Sequence, residues 1–274
     1  MKKSLKVLAL GLAAVPCALM LTGCGDNDLH IVDTKGTYAT SSSYAEVETY
    51  VEETPAATTE LDSYRMVIRL DISTKINGRS LISANTESDT YVTFDGDVIN
   101  MVSHMKGKAS AMGFSENINE STYIINNTLW QKSAYTGEWE SAFLYDASAY
   151  LGQALSFDNM FADLDANDQD LIDVDVDNST EGTYKVRMTM AGSVLSGFVG
   201  GVDGSTLGEM SGLVTWDDAE IYFIFEDNKF VGSTMSVGVE CSTETAQGTT
   251  EMTMDMEMEF APYTGTLEFP DELV

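Results

Sequence analysis

Two long stretches in which apolar and polar residues alternate restrict the fold of this chain more than any other feature. In residues 64–76, every second position is apolar or threonine, and mostly charged residues lie between. In residues 252–260, four methionines and a phenylalanine alternate with threonine, aspartate and glutamate. Successive side chains of a strand point to opposite faces, so each stretch predicts a long strand with one apolar and one polar face.

Short turn signals separate these strands from further ones. The pairs Asn-Gly at 77–78, Asp-Gly at 95–96 and Asn-Asn at 126–127 supply the positive φ angles that tight hairpins need. The stretch at 252–260 belongs to a strand predicted over 249–260. The remaining strands are predicted at 80–87, 90–94, 97–105, 121–125, 128–132, 183–191, 219–226 and 229–241. Tight turns between strands that each have one solvent-exposed face predict antiparallel pairing.

A few short helices complete the predicted fold. Ser43 and Glu46 match a capping box and predict a helix over 44–53, which Pro55 ends. Apolar residues at helical spacing from Ser141 onward, through Phe143, predict another helix, and further ones are predicted at 157–164, 193–202 and 205–213. Residues 163–177 are predicted to be an acidic loop. The fold class is therefore α+β.

The first 21 residues have the order of a secretory signal peptide. Lys2, Lys3 and Lys6 precede an almost wholly apolar run over 7–21, which is short for a membrane-spanning helix. The sequence Leu-Thr-Gly-Cys that follows at 21–24 resembles the bacterial lipobox. This resemblance implies cleavage between Gly23 and Cys24 and attachment of a diacylglyceryl group to the Cys24 thiol.

The alternative is a plain secretory peptide in which Cys24 is incidental. On the lipobox interpretation, residues 1–23 are a lipoprotein signal peptide, residues 24–43 a polar acidic tether, and residues 44–274 a single domain. Two acyl chains attach a protein stably to a membrane. We therefore expect the protein at the extracytoplasmic face of the cell membrane.

The composition excludes some function classes. Without residues 1–23 the chain has 11 basic and 44 acidic residues, and the net charge falls from −30 to −33. Such a charge repels nucleic acid and anionic membrane surfaces, so we expect no nucleic-acid partner. The body of the protein is repelled by the same bilayer that its lipid would enter.

The chain has few residues for catalysis. Of its two histidines, His30 lies in the predicted tether, and neither a G-x-S-x-G motif nor Ser-x-x-Lys at a helix start is present. Two triplets have the opening spacing of a calcium loop but lack its closing glutamate. They are Asp163, Asp165 and Asn167, and Asp173, Asp175 and Asp177. We expect no enzymatic activity, no metal and no cofactor, and we expect Cys241 to be a small buried residue.

Several segments together resemble the LolA-like lipoproteins, which include the mycobacterial LppX and LprG group and uncharacterised Firmicutes lipoproteins. These segments are a short helix leading into residues 61–64, a hairpin at 123–130 followed by Trp139, an acidic-turn hairpin at 219–231, and a closing strand with Pro262 and Pro270. The resemblance implies a strongly curved antiparallel sheet, an open half-barrel, with short helices across its concave face. In that family the concave face holds acyl chains.

The function predicted on this basis is a non-enzymatic module that binds a lipid or other hydrophobic ligand on the concave face. Methionine is unbranched and adapts to irregular cavities, which suits such a wall. The alternative is a structural or protein-interaction module whose core is filled by its own helices. The residues predicted to line the ligand cavity are Met66, Ile68, Leu70, Met252, Met254, Met256 and Met258.

Overall fold

The computed structural model describes residues 30–54, 63–133, 136–144, 172–194, 214–245 and 248–273. Thirteen strands and the helix α1 (Tyr44–Glu53) have their bounds in these residues. The strands are β1 Thr40–Ser42, β2 Ser63–Ile76, β3 Arg79–Asp95, β4 Val98–Ala111, β5 Phe114–Ile125, β6 Thr128–Lys132, β7 Trp139–Phe143, β8 Ile172–Asp177, β9 Thr183–Met190, β10 Val214–Trp216, β11 Ala219–Glu226, β12 Lys229–Thr245 and β13 Gly248–Pro262.

All thirteen strands belong to one antiparallel sheet with the order β1-β8-β9-β11-β12-β13-β2-β3-β4-β5-β6-β7. The short strand β10 also pairs with β12, opposite residues 239–241, whereas β11 pairs with the earlier part of β12, residues 229–236. Strand β10 therefore continues the line of β11. Strands β1 and β7 lie at opposite ends of the sheet, and within the described residues the sheet does not close on itself.

The cross-strand register gives this sheet two distinct faces. We call the side that carries Met66, Ile68 and Leu70 of β2 the apolar face, and the opposite side the polar face. Met66 lies opposite Phe260, Ile68 opposite Met258, and Leu70 opposite Met256. The apolar face continues across the sheet from β8 to β5, and most of the buried residues of the core cluster lie on it.

The predicted helix over 44–53 is confirmed by α1, including its start. The Ser43 hydroxyl accepts from the backbone N–H of Glu46, and the Glu46 carboxylate accepts from the backbone N–H of Ser43 at 2.9 Å. Tyr50 packs its ring 4.2 Å from that of Tyr184 and 5.3 Å from that of Phe225. The helix therefore covers the apolar face at β9 and β11, which supply the packing that so short a helix needs.

Residues 30–39, which we call the strap, lie across the polar face of β13, β12, β11 and β9. The sequence predicts these residues as part of a tether, whereas the structure places them in contact with the sheet. Gly232 permits the close approach, because a Cβ there would lie 2.7 Å from Val32. The chain then adds β1 to the edge of the sheet beside β8 and continues into α1 on the apolar face.

The structure corrects three local predictions. Residues 172–177 form strand β8 and not an acidic loop, because Ile172, Val174 and Val176 alternate with aspartates and point into the core. Strand β3 is continuous over 79–95, although two strands are predicted there. A helix is predicted to begin at Ser141, but residues 141–143 belong to strand β7 instead.

Some of the other predictions are confirmed, and some concern residues outside those that the structure describes. The strands at 64–76, 183–191 and 219–226 and the hairpin at 126–127 are confirmed. The helices predicted at 157–164 and 205–213, and most of the one at 193–202, lie outside the described residues. The triplet at 163, 165 and 167 also lies outside them. A mostly antiparallel, open sheet with few helices is thus confirmed for the part of the chain described. Its strong curvature and the helices across a concave face stay predictions.

Candidate functional site

The seven residues predicted to line a ligand cavity lie together on the apolar face. They occupy two adjacent strands, three on β2 and four on β13, which pair along their whole length. Met254 lies opposite Ile72 and Met252 opposite Thr74, so the methionine row of β13 runs beside the aliphatic row of β2. Their role as a cavity wall stays a prediction.

Burial divides this row into two parts. Met66 and Ile68 belong to the core cluster, and the partly buried Met256 and Met258 pack against it. Met252 and Met254 lie beyond the cluster and are only partly buried. Solvent or a bound molecule therefore has access to the methionine row at the end of the sheet where β2 turns into β3.

A group of buried hydroxyl side chains interrupts the apolar face on the neighbouring strands β3, β4 and β5. We call Thr86, Ser88, Thr90, Ser103 and Thr122 the hydroxyl patch; each is between 2% and 6% exposed. Thr90 Oγ1 lies 2.8 Å from Ser103 Oγ and 3.3 Å from Ser88 Oγ. Thr86 donates to the carbonyl of Leu70 at 3.1 Å.

This patch is not among the predicted site residues. Its signal is present in the printed sequence, because hydroxyl residues at 86, 88 and 90 alternate with Glu87 and Asp89. Threonine and serine fit either face of a strand, so the alternation did not indicate which face is buried. The cross-strand register shows which face is buried, because it places these hydroxyl residues beside the apolar residues of β2 and β4.

On the polar face, a buried carboxylate binds the start of the strap. Glu259 is 1% exposed and accepts from the backbone N–H groups of Ile31 at 2.7 Å and Val32 at 3.0 Å. It also lies 2.7 Å from His30 Nδ1 and accepts from Arg69 at 2.8 Å. Burial alone raises the pKa of Glu259, but these hydrogen bonds outweigh it and hold the pKa below its ordinary value.

Arg69 is the centre of the charges around that carboxylate. Its guanidinium lies 3.4 Å from Glu87, 3.2 Å from Glu257 and 2.8 Å from Glu259, across β3, β2 and β13. One cation among three carboxylates leaves an excess of negative charge. The low pKa of Glu259 nevertheless shows that its partners favour the ionised form.

The far end of the strap is held by a second set of contacts. Lys185 donates to the backbone carbonyls of Asp33 at 2.9 Å and Lys35 at 2.7 Å, and Asp177 accepts from the backbone N–H of Thr37 at 2.6 Å. Tyr38 donates to the carbonyl of Thr34 at 2.8 Å. The strap is thus bound at both ends.

Burial raises the pKa of Tyr38 to about 12, and the neighbouring Tyr222 and Asp177 add to the shift. The ring of Tyr38 meets that of Tyr222 edge-on, with centroids 5.5 Å apart. The Arg187 guanidinium lies over the Tyr38 ring, 5.3 Å from its centroid. Because removal of the phenolic proton would leave a charge in this partly buried place, the neutral form is favoured.

An open groove of about 530 Å³ also lies on the polar face. Asp217 and Asp218 at the junction of β10 and β11 form one wall, and Asp71, Asp255 and Glu257 contribute further carboxylates. Its lining includes Arg69, so the groove lies beside the charge cluster of β2 and β13. It does not coincide with the predicted cavity, although Leu70 and Met256 also border it.

One group of possible metal ligands, His30, Glu257 and Glu259, has ligand atoms within 4.8 Å of one another. Glu259 already accepts hydrogen bonds from two backbone N–H groups and from Arg69, whose positive charge repels a cation. These residues therefore suit the binding of the strap better than the binding of a metal ion.

The second acidic triplet, at 173, 175 and 177, lies on β8. Asp175 pairs with Arg187, and Asp177 accepts from Thr37 and Ser179. Their alternation along a strand and these contacts replace the loop geometry that a calcium site of the predicted type needs. Cys241 is buried and unpaired, as predicted, and its burial raises the pKa of the thiol.

Among the described residues, no helix is long and apolar enough to cross a membrane. The chain matches no protein-family model and no curated protein. Among solved structures it is similar to LprF from Mycobacterium bovis, with a TM-score of 0.42 and 13% sequence identity, over 84% of this chain and 98% of that chain. Such a low score shows no shared ligand or activity.

Proposed function

We propose that this chain is a non-enzymatic, extracytoplasmic lipoprotein, held to the cell membrane through Cys24, which binds a lipid or another hydrophobic ligand on the apolar face of its sheet. In this proposal the sheet is a half-barrel of the LolA-like type, with the apolar face concave. The observation that carries the proposal is the partly exposed methionine row that extends the apolar face beyond the core cluster.

The physical argument is the cost of leaving that row in water. Each Å² of apolar surface removed from water contributes about 25 cal/mol, so an acyl chain laid along the row stabilises both partners. Unbranched methionine side chains adjust to such a chain without a fixed shape of their own. Met252 and Met254 form the accessible end of this surface, because they are only partly buried and lie outside the core cluster.

Three features of the sequence support the anchored location. The signal-peptide pattern, the lipobox-like residues at 21–24 and the strongly acidic body agree with a domain held outside the cell membrane. Replacement of Cys24 by alanine should abolish the incorporation of a labelled fatty acid into the protein and leave the signal uncleaved. Fatty-acid incorporation that persists in the variant would contradict the anchor.

Ligand binding is tested with the uncharged fluorescent probe N-phenyl-1-naphthylamine on residues 25–274, which lack the lipid-bearing Cys24 and can be purified without detergent. Met254→Glu places a charge on the apolar face and should weaken probe binding at least tenfold, because a carboxylate cannot enter an apolar site without cost. Thr253→Glu is the matched control, since it adds the same charge to the polar face one residue away. Equal binding by both variants, or no binding by the natural sequence, would contradict the proposal.

A structural or protein-interaction module is the second candidate, and the acidic groove on the polar face is the observation that favours it. Five carboxylates around an open groove suit a basic partner. In this alternative the apolar face is filled by the protein itself. Native mass spectrometry that finds no co-purified lipid, together with no probe binding, would favour this candidate.

A further inference from the structure

The turn between β4 and β5 exposes apolar side chains to solvent. Phe114 is 83% exposed and Met112 is 70% exposed, the largest fractions among the large apolar side chains that the structure describes. Ala111 and Gly113 complete this segment, residues 111–114, which we call the tip. Four successive residues without a polar side chain at an exposed turn indicate a contact with another molecule.

The backbone of the tip shows that Met112 is not there for the sake of the turn. Met112 has a φ of 52° and Gly113 a φ of 87°, in the left-handed region that this kind of tight hairpin requires. Among the described residues with positive φ, every other one is asparagine, aspartate or glycine. These residues adopt the left-handed conformation more readily than methionine does. The methionine therefore weakens the turn, and its contribution lies outside the fold.

The surroundings of the tip differ in charge from the rest of the chain. About one residue in six of the chain is acidic, yet residues 72–86 and 98–115 contain no acid. These two stretches include the turns of the β2–β3 and β4–β5 hairpins, and the first acid after the tip is Glu116 of β5. They also contain four basic residues, Lys75, Arg79, Lys106 and Lys108.

Two of these cations lie opposite uncharged residues in the sheet. Arg79 lies opposite an isoleucine, and Lys108 lies between two asparagines. Lys75 and Lys106 each lie opposite a glutamate. Positive charge at this end of the sheet attracts anionic lipid head groups, whereas the net charge of −30 repels them from the molecule as a whole.

We propose that the tip inserts into the surface of an anionic lipid bilayer, with Met112 and Phe114 below the head groups and Arg79 and Lys108 beside the lipid phosphates. Apolar side chains at a hairpin turn, flanked by cations, complement a surface in which hydrocarbon lies beneath negative charge. A second copy of the tip carries the same cations, so the pairing of two tips would place like charges together. The bilayer is therefore the partner that the charges favour.

The register connects the tip with the accessible end of the methionine row. One row across the apolar face runs from Met252 through Thr74, Ile82 and Ala111 to Phe114. Four strand spacings of about 4.8 Å place Phe114 about 19 Å from Met252 along the sheet. Insertion of the tip therefore brings the accessible end of the proposed ligand site close to the bilayer. The insertion does not depend on the proposed ligand binding, which supplies only its purpose.

The experiment measures by flotation how tightly residues 25–274, which carry no lipid, bind to vesicles. The vesicles contain either phosphatidylcholine alone or equal parts of phosphatidylcholine and phosphatidylglycerol. The natural sequence should bind the anionic vesicles. Met112→Asn/Phe114→Ser should bind them at least about tenfold more weakly, because two large apolar side chains no longer leave water. Asparagine favours the positive φ at position 112, so Met112→Asn alone should not lower the midpoint of urea denaturation.

Two further variants separate the apolar and the charged contributions. Phe143→Ser is the matched control, since it removes a phenylalanine that is 57% exposed at the opposite end of the sheet, and it should leave vesicle binding unchanged. Arg79→Gln/Lys108→Gln should weaken binding to the anionic vesicles about tenfold and leave the weaker binding to phosphatidylcholine as it is.

The inference would be overturned if the natural sequence bound neither kind of vesicle, or if Met112→Asn/Phe114→Ser bound the anionic vesicles as tightly as the natural sequence. A dimer in solution that this variant abolishes, without any binding to vesicles, would assign the tip to a second copy of the chain and would also overturn it. The variant should bind N-phenyl-1-naphthylamine as the natural sequence does. Failure of the natural sequence to bind that probe would contradict the proposed function alone.

Discussion

On strand β13, a charged residue of the polar face is buried more completely than two methionines of the apolar face. Glu259 on the polar face is 1% exposed, whereas Met252 and Met254 on the apolar face are partly exposed. A strand with alternating methionines and acids would normally bury the methionines and expose the acids. Here the strap covers the acid, and the methionine row extends beyond the core.

This comparison separates a structural role from a binding role. The buried carboxylate is fully engaged by Arg69, His30 and the backbone of the strap, so its surroundings are complete. The accessible methionines lie outside the core cluster. On this sheet the charged residue fixes the chain, and the apolar residues offer the surface for a ligand.

The largest expected effect is on the polar face. Replacement of Glu259 by alanine should lower the free energy of unfolding by about 3 kcal/mol, because it leaves two backbone N–H groups and part of the Arg69 guanidinium without an acceptor. Urea denaturation measures the loss. Glu251→Ala, at an exposed position of the same face and strand, should change stability by less than about 0.5 kcal/mol. Similar values for the two variants would show that the strap adds no stability.

The apolar face gives a smaller and graded effect. Met258→Ala should cost about 2 kcal/mol, because Met258 packs against the core cluster. Met254→Ala should cost about half as much, because Met254 lies outside that cluster. Denaturation of both variants under the same conditions makes the comparison. A larger loss of stability for Met254→Ala than for Met258→Ala would show that Met254 is the more tightly packed of the two, which would contradict this comparison.

The smallest effect is expected at the far end of the strap and only at alkaline pH. Because the pKa of Tyr38 is raised from 10 to about 12, its contribution to stability is full below pH 10 and is lost as the pH rises to about 12. Nuclear magnetic resonance of tyrosine labelled at Cζ follows this titration, and Tyr38→Phe identifies the signal. A midpoint near 10 would show that the phenol is exposed to water and that the strap is not bound there.

Local signals were sufficient to predict a large part of the fold. The capping box of Ser43 and Glu46 gave the helix its correct first residue, and Asn77 and Asp227 adopt the positive φ angles expected of their turns. Strict alternation placed β2 and β13 and both of their faces. In each case the residues that determine the structure are close together in the sequence.

The strap and β8 could not be predicted in the same way. His30 and Glu259 are 229 positions apart, and no local pattern in the polar strap indicates such a partner. In β8 the alternation of Ile172, Val174 and Val176 was visible, but the density of aspartates suggested a loop. The hydroxyl patch needed the register of three strands before its burial could be recognised.

The binding of the strap has a mechanical consequence. Among the described residues, His30 to Val32 are the first that contact the sheet, and they do so at Glu259. A force applied to the chain at residue 30 therefore acts on that carboxylate first. The strap crosses the strands, so its contacts would break one after another, by peeling, while the long ladders between β12, β13 and β2 carry little of the load.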